Sequence, residues 1–278
     1  MRRLYVTDLD GTLLNSDGTV SEKSVKILND LIAQGVHITY STSHSFYTAS
    51  KILKDVNFKL PCIVQNGAYV IDAATGDILR KNLLSHDIYN DIISMNKYFH
   101  LNPFIVGKTE DDEERLLYDT TCNNAQDNFI DVRISGNDKR VVMLKNCPTL
   151  KEITRIIFLY HLNEIIPLRD VIEKKYGDSI SIKLTEDVYY KNFYRLEFSD
   201  AYANKGDMLT YLSKSLGVGL NNTMVFGDQT DDLEMFSMAG TAVAVSNAAE
   251  DVIKMADVTI GSNDEDSVAQ YIAEHIQK

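Results

Sequence analysis

Hydrophobic positions in the first eighty residues alternate between short apolar runs and segments with helical spacing. Ser21 is a good N-cap residue, apolar residues follow it at helical spacing, and Gly35 is a natural stop, so a helix is predicted between them. A second helix is predicted through Phe46 and Leu53. Strands that alternate with helices indicate a parallel sheet with helices on both faces. Runs of β-favouring residues predict three such strands: Leu4–Val6, Val36–Ser41 and Pro61–Gln65.

This alternation stops after residue 67. Residues 68–72 and 77–81 predict a hairpin, and a separate α+β segment is predicted from Leu84 to about Asp200. The acidic run at 110–114 lies inside this segment and is interpreted as a solvated loop or helix start without a catalytic role. The predicted helices of the segment are Asp87–Phe99 and Leu150–His161, and its predicted strands are Phe104–Val106, Arg140–Lys145, Ser179–Leu184 and Phe193–Phe198.

The alternation of strands and helices returns near residue 200. A helix is predicted to open at Asn204-Lys205-Gly206, and further helices near Asp231–Met238, Ala248–Met255 and Asp264–Ile276. Three strands are predicted between them: the buried strand Thr223–Gly227, then Thr241–Val245 and Val258–Ile260. We therefore predict an α/β fold, with a Rossmann-like parallel-sheet core formed by residues 1–83 and 200–278 and an inserted α+β domain at 84–199.

Two acids stand directly after the first predicted strand. Asp8 and Asp10 are two residues apart, so both carboxylates could face one pocket, and Gly11 allows the chain to turn sharply. Ligands of open α/β sheets usually bind at this end of the strands. A divalent cation would relieve the repulsion between the acids, and Mg²⁺ prefers carboxylate oxygens. The alternative is a structural N-cap and turn, in which Asp and Gly are common.

Three further segments offer related chemistry. The hydroxyl of Thr42, after the second strand, could donate to a phosphoryl oxygen, or it could cap the next helix. Lys205 in the first turn of a helix would complement a bound anion, or it could be an exposed surface residue. Asp228 ends another buried strand and could join Asp8 and Asp10 around a metal; the loop lacks the spacing of a calcium-binding loop.

Composition narrows the class of protein. The 278 residues are 44% hydrophobic and 24% charged, which is an ordinary globular composition. The formal net charge of -12 argues against binding to nucleic acid, which requires clustered Lys and Arg. The cysteines Cys62, Cys122 and Cys147 have unrelated spacings, so we expect a reduced protein without a disulfide framework or zinc site. We find no room for a signal peptide and no apolar run of membrane-spanning length, so we expect a cytoplasmic protein without a membrane partner.

The combination of these segments, in this order, resembles the haloacid dehalogenase superfamily of phosphatases. The position of the insert between Thr42 and Lys205 is similar to that of the Cof-type subfamily, which has a large α/β (type IIB) cap. The resemblance covers the whole chain in outline, although the insert itself carries no motif that can be matched. The matching segments are Asp8-Leu9-Asp10-Gly11-Thr12, Thr42, Asn66-Gly67-Ala68, Lys205, Gly227-Asp228 through Asp232, and Ser246-Asn247-Ala248.

The resemblance implies roles for the two acids of the first motif and a metal. Asp8 is expected to be the nucleophile and to form an aspartyl-phosphate, and Asp10 is expected to protonate the leaving oxygen and then to activate water. A Mg²⁺ cofactor is expected to be held by the carboxylates of Asp8 and Asp228 and the main-chain carbonyl of Asp10. Asp232 is expected to support the metal shell or to orient Lys205.

The resemblance also implies a site for the phosphoryl group. The backbone amides near Leu9 and Ser43, the Thr42 hydroxyl and Lys205 are expected to hold it and to stabilise the charge on its oxygens. We include Asp231 among the residues expected to line this site.

Two positions depart from the pattern of the family. Gly-Arg commonly follows the threonine of the second motif, where this chain has Ser43-His44, so an arginine available to the substrate is missing. His44 could replace it only when protonated. The residue before the last acid is usually Asn, and here it is Asp231. A carboxylate donates to phosphate only when protonated, so Asp231 is expected to turn outward or to hold a water.

The sequence therefore predicts a Mg²⁺-dependent phosphomonoester hydrolase that acts on a small phosphorylated metabolite. By the resemblance, sugar phosphates are the first expected substrates, followed by flavin mononucleotide or pyridoxal phosphate. One alternative is a phosphosugar mutase of the same superfamily, which transfers the phosphate to a second hydroxyl and not to water. The other is a phosphosugar-binding regulator without turnover, which the departures at Ser43-His44 and Asp231 suggest. The oligomeric state is not predicted.

Overall fold

Two compact units make up the chain in the computed structural model, which describes residues 2–146, 149–187 and 190–276. Met1–Lys81 together with Ala203–Lys278 form the core unit, and Asn82–Tyr202 form the inserted unit. Cys147, named above from the sequence, lies outside the described residues. Within the described ranges, no helix is both long enough and apolar enough to cross a bilayer.

The first half of the core unit has the predicted alternation of strands and helices. The Ser21 side chain accepts a hydrogen bond from the Ser24 amide at the start of the first helix, and Gly35 follows the helix with φ +85°. The elements are β1 (Leu4–Thr7), α1 (Glu22–Ala33), β2 (His37–Tyr40), α2 (Phe46–Ile52), β3 (Cys62–Val64), β4 (Tyr69–Ile71) and β5 (Ile78–Lys81).

The inserted unit is built on one six-stranded sheet. Neighbouring strands run antiparallel, except for the parallel pair β7 and β8. The strand order is β10-β11-β9-β6-β7-β8. The elements are α3 (His86–Phe99), β6 (Phe104–Thr109), β7 (Glu114–Tyr118), α4 (Asn124–Ser135), β8 (Val141–Met143), β9 (Leu150–His161), α5 (Leu162–Tyr176), β10 (Ile180–Glu186) and β11 (Phe193–Asp200).

The predicted helix at Leu150–His161 is wrong, because these residues form the central strand β9. Both faces of the strand are buried: Ile156 and Phe158 belong to one apolar cluster, while Ile157 and Leu159 belong to the other. A strand that is covered on both faces does not show the alternation of apolar and polar residues that identifies a half-exposed strand. The β-branched residues of the segment were the available signal for a strand.

Three elements of the inserted unit were not predicted: β7, α4 and α5. The helix α5 contains Pro167, which removes one backbone donor and usually signals the end of a helix. Strand β7 begins at Glu114, the last residue of the acidic run, where charge argued for a loop. These local signals are weaker than packing in the whole unit, which determines the final structure.

The second half of the core unit completes a parallel five-stranded sheet. Its elements are α6 (Lys205–Ser215), β12 (Thr223–Gly227), α7 (Leu233–Met238), β13 (Thr241–Val245), α8 (Glu250–Met255), β14 (Val258–Ile260) and α9 (Ser267–His275). The strand order is β14-β13-β12-β1-β2, with every neighbouring pair parallel. The predicted α/β class, with a parallel-sheet core and an inserted α+β segment, is thus confirmed.

Strand β1 lies at the topological switch point of this sheet: β2 follows it on one side, and β12 lies on its other side. The crevice at the carboxyl ends of such strands is the usual ligand site of an open α/β sheet. The third predicted strand differs from expectation, because β3 pairs antiparallel with β4. In the described part of the chain, a single parallel bridge from Ser41 to Ile63 connects β3 to the edge of the sheet beside β2.

Gly67 provides a stability test of the packing around α6. Its φ is +89°, and an added Cβ would lie 2.3 Å from the backbone oxygen of Asn204. Gly35 has a similar φ of +85°, with nothing within 4 Å of an added Cβ. We expect Gly35→Ala to lower the free energy of unfolding by about 1 kcal/mol through backbone strain, and Gly67→Ala by about 3 kcal/mol or more through strain and steric overlap. Urea unfolding checks both values, and equal losses would contradict the close approach.

Candidate active site

Asp8 and Asp228 lie side by side at the ends of two neighbouring parallel strands. Thr7, the last residue of β1, is in register with Phe226 of β12, and the Asp8 amide donates to the Phe226 carbonyl at 2.9 Å. Both aspartates are buried, at 5% and 3% exposure. The pairing of two strands that are far apart in sequence therefore brings the two predicted acids together.

A tight turn after β1 holds this arrangement in place. The Thr12 hydroxyl donates to Oδ1 of Asp228 at 2.8 Å. Gly11 has φ +71°, and an added Cβ would lie 2.4 Å from Oδ2 of Asp228. Asn247 donates from its side chain to the Gly11 carbonyl at 2.8 Å. The glycine of the first motif is thus required both for the backbone conformation and for the space that Asp228 occupies.

Lys205 places one buried positive charge among these acids. It is the first residue of α6, and only 2% of its side chain is exposed. Its Nζ atom is 2.9 Å from Oδ1 of Asp8, 2.7 Å from Oδ1 of Asp232 and 3.2 Å from Oδ2 of Asp231. The alternative of an exposed surface lysine is therefore wrong.

Asp232 connects the lysine to the loop that follows β12. Its Oδ1 accepts from Lys205, and its Oδ2 accepts from the backbone amides of Asp228 and Gln229 at 3.0 and 3.1 Å. The side chain is fully buried. Asp232 thus orients Lys205 and fixes the backbone that carries Asp228, while Asp231 faces the lysine and does not turn outward.

The buried acids offer a site for a divalent cation. Oxygens of Asp8, Asp228 and Asp232 lie within 4.8 Å of one another. Asp8, Asp231 and Asp232 contact the ammonium of Lys205, and Asp228 lies beside Asp8 and Asp232, so four carboxyl groups share this one nearby positive charge. Hard carboxylate oxygens are the ligands that Mg²⁺ prefers, so these residues fit the predicted metal.

Burial determines the protonation of the cluster. It raises the pKa of Asp8 well above its ordinary value, although the Lys205 ammonium opposes the shift. Burial likewise raises the pKa of Asp228, and that of Asp232 to about 6. Burial alone would lower the pKa of Lys205, but the charges of Asp232 and Asp8 raise it well above its usual range. The lysine is therefore charged at neutral pH, and protons compete with a cation for the acids.

Asp10 lies apart from the three clustered carboxylates. Its side chain is 54% exposed, and its Oδ2 is 2.8 Å from Nε2 of His44. The ring nitrogen has no aligned hydrogen bond among the described residues, so this contact is a close approach of two polar groups. The structure therefore brings Asp10 next to a residue that departs from the family pattern. The predicted metal contact through the Asp10 main chain stays a prediction.

Thr42 lies buried near the start of the loop that follows β2. Its hydroxyl accepts from the His44 amide at 3.1 Å, and its carbonyl accepts from the Asn66 amide at 3.0 Å. Ser45 caps α2, because its side chain accepts from the Thr48 amide. The alternative role of Thr42 as the helix cap is therefore wrong, and among the residues described its hydroxyl accepts a hydrogen bond but donates none. Ser43 is exposed beside it, whereas Leu9 is buried in the turn after β1.

Sequence reasoning missed three supporting contacts of the site. Thr12 was part of the first motif, but its bond to Asp228 was not foreseen. Gln229 donates to Oδ2 of Asp228 at 2.9 Å, and Asn247 holds the turn at Gly11. The contacts of Thr12 and Asn247 join segments that are far apart in the sequence, and that of Gln229 depends on the direction of a flexible side chain. The spacing of residues along the sequence therefore does not predict them.

Comparison with known proteins identifies the class of protein that this fold and site define, the phosphatases with a haloacid dehalogenase-like fold. The profile of the haloacid dehalogenase-like hydrolases matches residues 5–272. The chain belongs to this family, and it is a phosphatase.

Individual relatives extend over nearly the whole chain. The 5-amino-6-(5-phospho-D-ribitylamino)uracil phosphatase YitU of Bacillus subtilis is 24% identical, over 98% of this chain and 97% of the relative. The HMP-PP phosphatase of Serratia proteamaculans is also 24% identical, over 98% of this chain and 94% of its own length. The solved structure of a haloacid dehalogenase-like hydrolase from Bacteroides thetaiotaomicron has a TM-score of 0.78 at 21% identity, and the match covers 99% of this chain and 100% of that structure. The predicted fold class is confirmed.

Removal of the buried lysine tests the charge balance of the site. We expect Lys205→Met to lower the free energy of unfolding by about 3–5 kcal/mol in metal-free buffer, because it leaves buried carboxylates without their cation. Lys214→Met is the matched control, since Lys214 is exposed in the last turn of the same helix. Chemical unfolding of both variants gives the comparison. A loss at Lys205 no larger than that at Lys214 would contradict the described charge network.

Proposed function

We propose that this phosphatase is a Mg²⁺-dependent phosphomonoester hydrolase that forms an aspartyl-phosphate on Asp8. The observation that carries the proposal is the buried cluster of Asp8, Asp228 and Asp232, in which three carboxyl groups lie near the one ammonium of Lys205. A bound Mg²⁺ would neutralise charge on the phosphoryl group and on the acids that face it. Asp8 and Asp228 would hold the ion with the Asp10 carbonyl, and Asp232 would support them.

In the first step, a carboxylate oxygen of Asp8 attacks the phosphorus of the ester. The bond between phosphorus and the ester oxygen breaks, and Asp10 gives its proton to that leaving oxygen. In the second step, Asp10 takes a proton from water, and the water oxygen attacks the phosphorus. The bond from phosphorus to Asp8 breaks, which releases inorganic phosphate and restores both aspartates.

The residues around Asp8 would hold the phosphoryl group during both steps. We propose that the Thr42 hydroxyl, the amides near Leu9 and Ser43, and Lys205 donate to its oxygens. Lys205 supports this role because its ammonium is 2.9 Å from Oδ1 of Asp8, where the phosphoryl group would be attached. Asp231 would line the same site and share the charge of Lys205. It cannot donate to phosphate as a carboxylate, so Lys205 is its expected partner.

The expected substrate is a small phosphorylated metabolite, and sugar phosphates are the first candidates. Two relatives are named as phosphatases of small compounds, 5-amino-6-(5-phospho-D-ribitylamino)uracil and HMP-PP. These names describe the relatives, and for this chain they support only the general class of small phosphorylated substrates. A mutase remains the rival from the same superfamily, because it would use the same nucleophile with a sugar hydroxyl in place of water. A regulator without turnover is disfavoured, because the core unit carries all of the residues proposed for turnover, Asp8, Asp10 and Lys205.

Substitution of the proposed nucleophile tests the reaction. We expect Asp8→Asn to lower phosphate release by about a thousandfold or more, because an amide cannot form the aspartyl-phosphate. Asp17→Asn is the matched control, since Asp17 is exposed in the loop after the first motif. Release of phosphate from a panel of sugar phosphates, flavin mononucleotide and pyridoxal phosphate measures turnover, and the thermal midpoint checks the fold.

The same assay separates the rivals. Free phosphate from the intact protein supports the hydrolase, whereas a positional isomer of the sugar phosphate without free phosphate would indicate a mutase. An Asp8→Asn protein that keeps full turnover would overturn the assignment of the nucleophile.

Metal removal is expected to show a defined dependence on pH. We expect EDTA to abolish turnover and Mg²⁺ to restore it. Burial raises the pKa of Asp232 to about 6, so a proton occupies this site more readily as pH falls. Burial also raises the pKa values of Asp8 and Asp228, so the apparent affinity for Mg²⁺ should decrease as pH falls, by about tenfold or more for each unit below pH 6. Calorimetric titration measures this affinity, and an affinity that rises as pH falls would contradict the account.

A further inference from the structure

The inserted unit has a group of arginines on one face of its sheet. Arg155 of β9 lies opposite Ser199 of β11, and Arg195 of β11 lies opposite Leu159 of β9. Glu197 lies between them on β11 and is opposite Ile157. Because directly opposed residues share a face of the sheet, the two arginines and Glu197 project from the same face.

Helix α4 covers the neighbouring part of this face. Ala125 and Ile130 of α4 pack with the sheet residues Phe104, Ile157 and Leu159. The arginines thus lie beside a packed apolar cluster. Arg133 of α4 joins them there: its guanidinium is 3.6 Å from the ring centre of Phe129, and that of Arg195 is 5.8 Å from the same ring.

The hydrogen-bonding capacity of Arg155 and Arg195 is only partly used. Nη1 of Arg155 is 3.9 Å from Glu197, and Nε of Arg195 is also 3.9 Å from Glu197, both longer than a hydrogen bond. Arg195 donates to Asp187 at 3.3 Å. The Nε atoms of Arg155 and Arg195 are shielded from solvent and have no hydrogen-bond acceptor among the residues described. A shielded donor without an acceptor is costly, so this arrangement favours an additional acceptor.

The guanidinium groups of this face are close enough for their charges to act on one another. Burial is the larger cause that lowers the pKa of Arg133 to about 10, and the positive charge of Arg195 is the next. The carboxylates of Glu197 and Asp187 lie close to Arg155 and Arg195, but no carboxylate in the described part of the chain accepts from the Nε atom of either arginine. An oxyanion among these guanidinium groups would reduce their mutual repulsion.

We propose that Arg155 and Arg195, with Arg133 beside them, form a binding site in the inserted unit for an oxyanion, the phosphate or carboxylate group of a small ligand. The planar guanidinium group of arginine matches the two oxygens of such an anion. A modest rotation of either guanidinium would let its Nε and one Nη donate together. The proposed binding of the oxyanion does not depend on turnover at Asp8.

Arginine side-chain signals report on this site directly. The probe is inorganic phosphate, with acetate as the carboxylate probe, added to the full-length protein at constant ionic strength. Nitrogen-proton spectra of the arginine Nε groups are assigned with Arg155→Lys and Arg195→Lys. We expect the Nε signals of Arg155 and Arg195 to shift and saturate with phosphate, acetate or both. The signal of Arg169, which is paired with Asp170 on α5, should stay in place.

Two glutamine variants then test whether both arginines bind the same anion. In Arg155→Gln the Arg195 signal is followed, and in Arg195→Gln the Arg155 signal is followed. We expect the anion to bind about tenfold more weakly or worse in each variant, because a hydrogen bond to a charged group contributes at least that factor. Arg169→Gln should leave the affinity unchanged.

Three results would overturn the proposal. The first is that neither anion shifts the Arg155 and Arg195 signals, which would mean that the arginines serve only the fold. The second is an equal shift at Arg169, which would indicate a general effect of salt. The third is an unchanged affinity in the glutamine variants. If those variants unfold, the lysine variants keep the charge but lose the two-pronged geometry, and affinity equal to that of the parent protein would contradict the site.

Discussion

The ion pair between the buried ammonium of Lys205 and the carboxylates around it is the constraint on which the core unit depends. Taking one unpaired charge out of water costs several kcal/mol, so the four acids require cations close by. Lys205 supplies one positive charge at 2.7 to 3.2 Å from three of them. The start of α6 and the ends of β1 and β12 must therefore meet at one point, and the close packing of Gly67 on Asn204 and of Gly11 on Asp228 makes that meeting possible.

The same charge imbalance connects the fold to its chemistry. One lysine does not neutralise four carboxylates, and the raised pKa of Asp8 shows the consequence for the proposed nucleophile. A divalent cation would add positive charge to the site, and a phosphoryl group would add negative charge. Because each would offset the charge of the other, we expect them to bind together. Asp10 differs, because it is half exposed and lies beside His44. Such a position suits a group that exchanges protons with a leaving group and with water.

Most of the core unit could be predicted from the sequence, because its strands are short, apolar and separated by well-capped helices. The predicted strands at Thr223–Gly227 and Thr241–Val245 have the observed bounds. The inserted unit was harder, since β9 is buried on both faces and α5 contains a proline. At the candidate site, motifs identified Asp8, Lys205 and Asp228, whereas the contacts of Thr12 and Gln229 depend on side-chain directions that spacing does not reveal.

The most direct test of this account is to locate the metal. Crystals soaked in Mn²⁺, which substitutes for Mg²⁺ and scatters anomalously, would reveal the bound ion. The account predicts one strong peak in contact with carboxylate oxygens of Asp8 and Asp228, at about 2.2 Å, with Asp232 close by. A saturated crystal in which that position is empty, or in which the ion is bound by other residues, would contradict it.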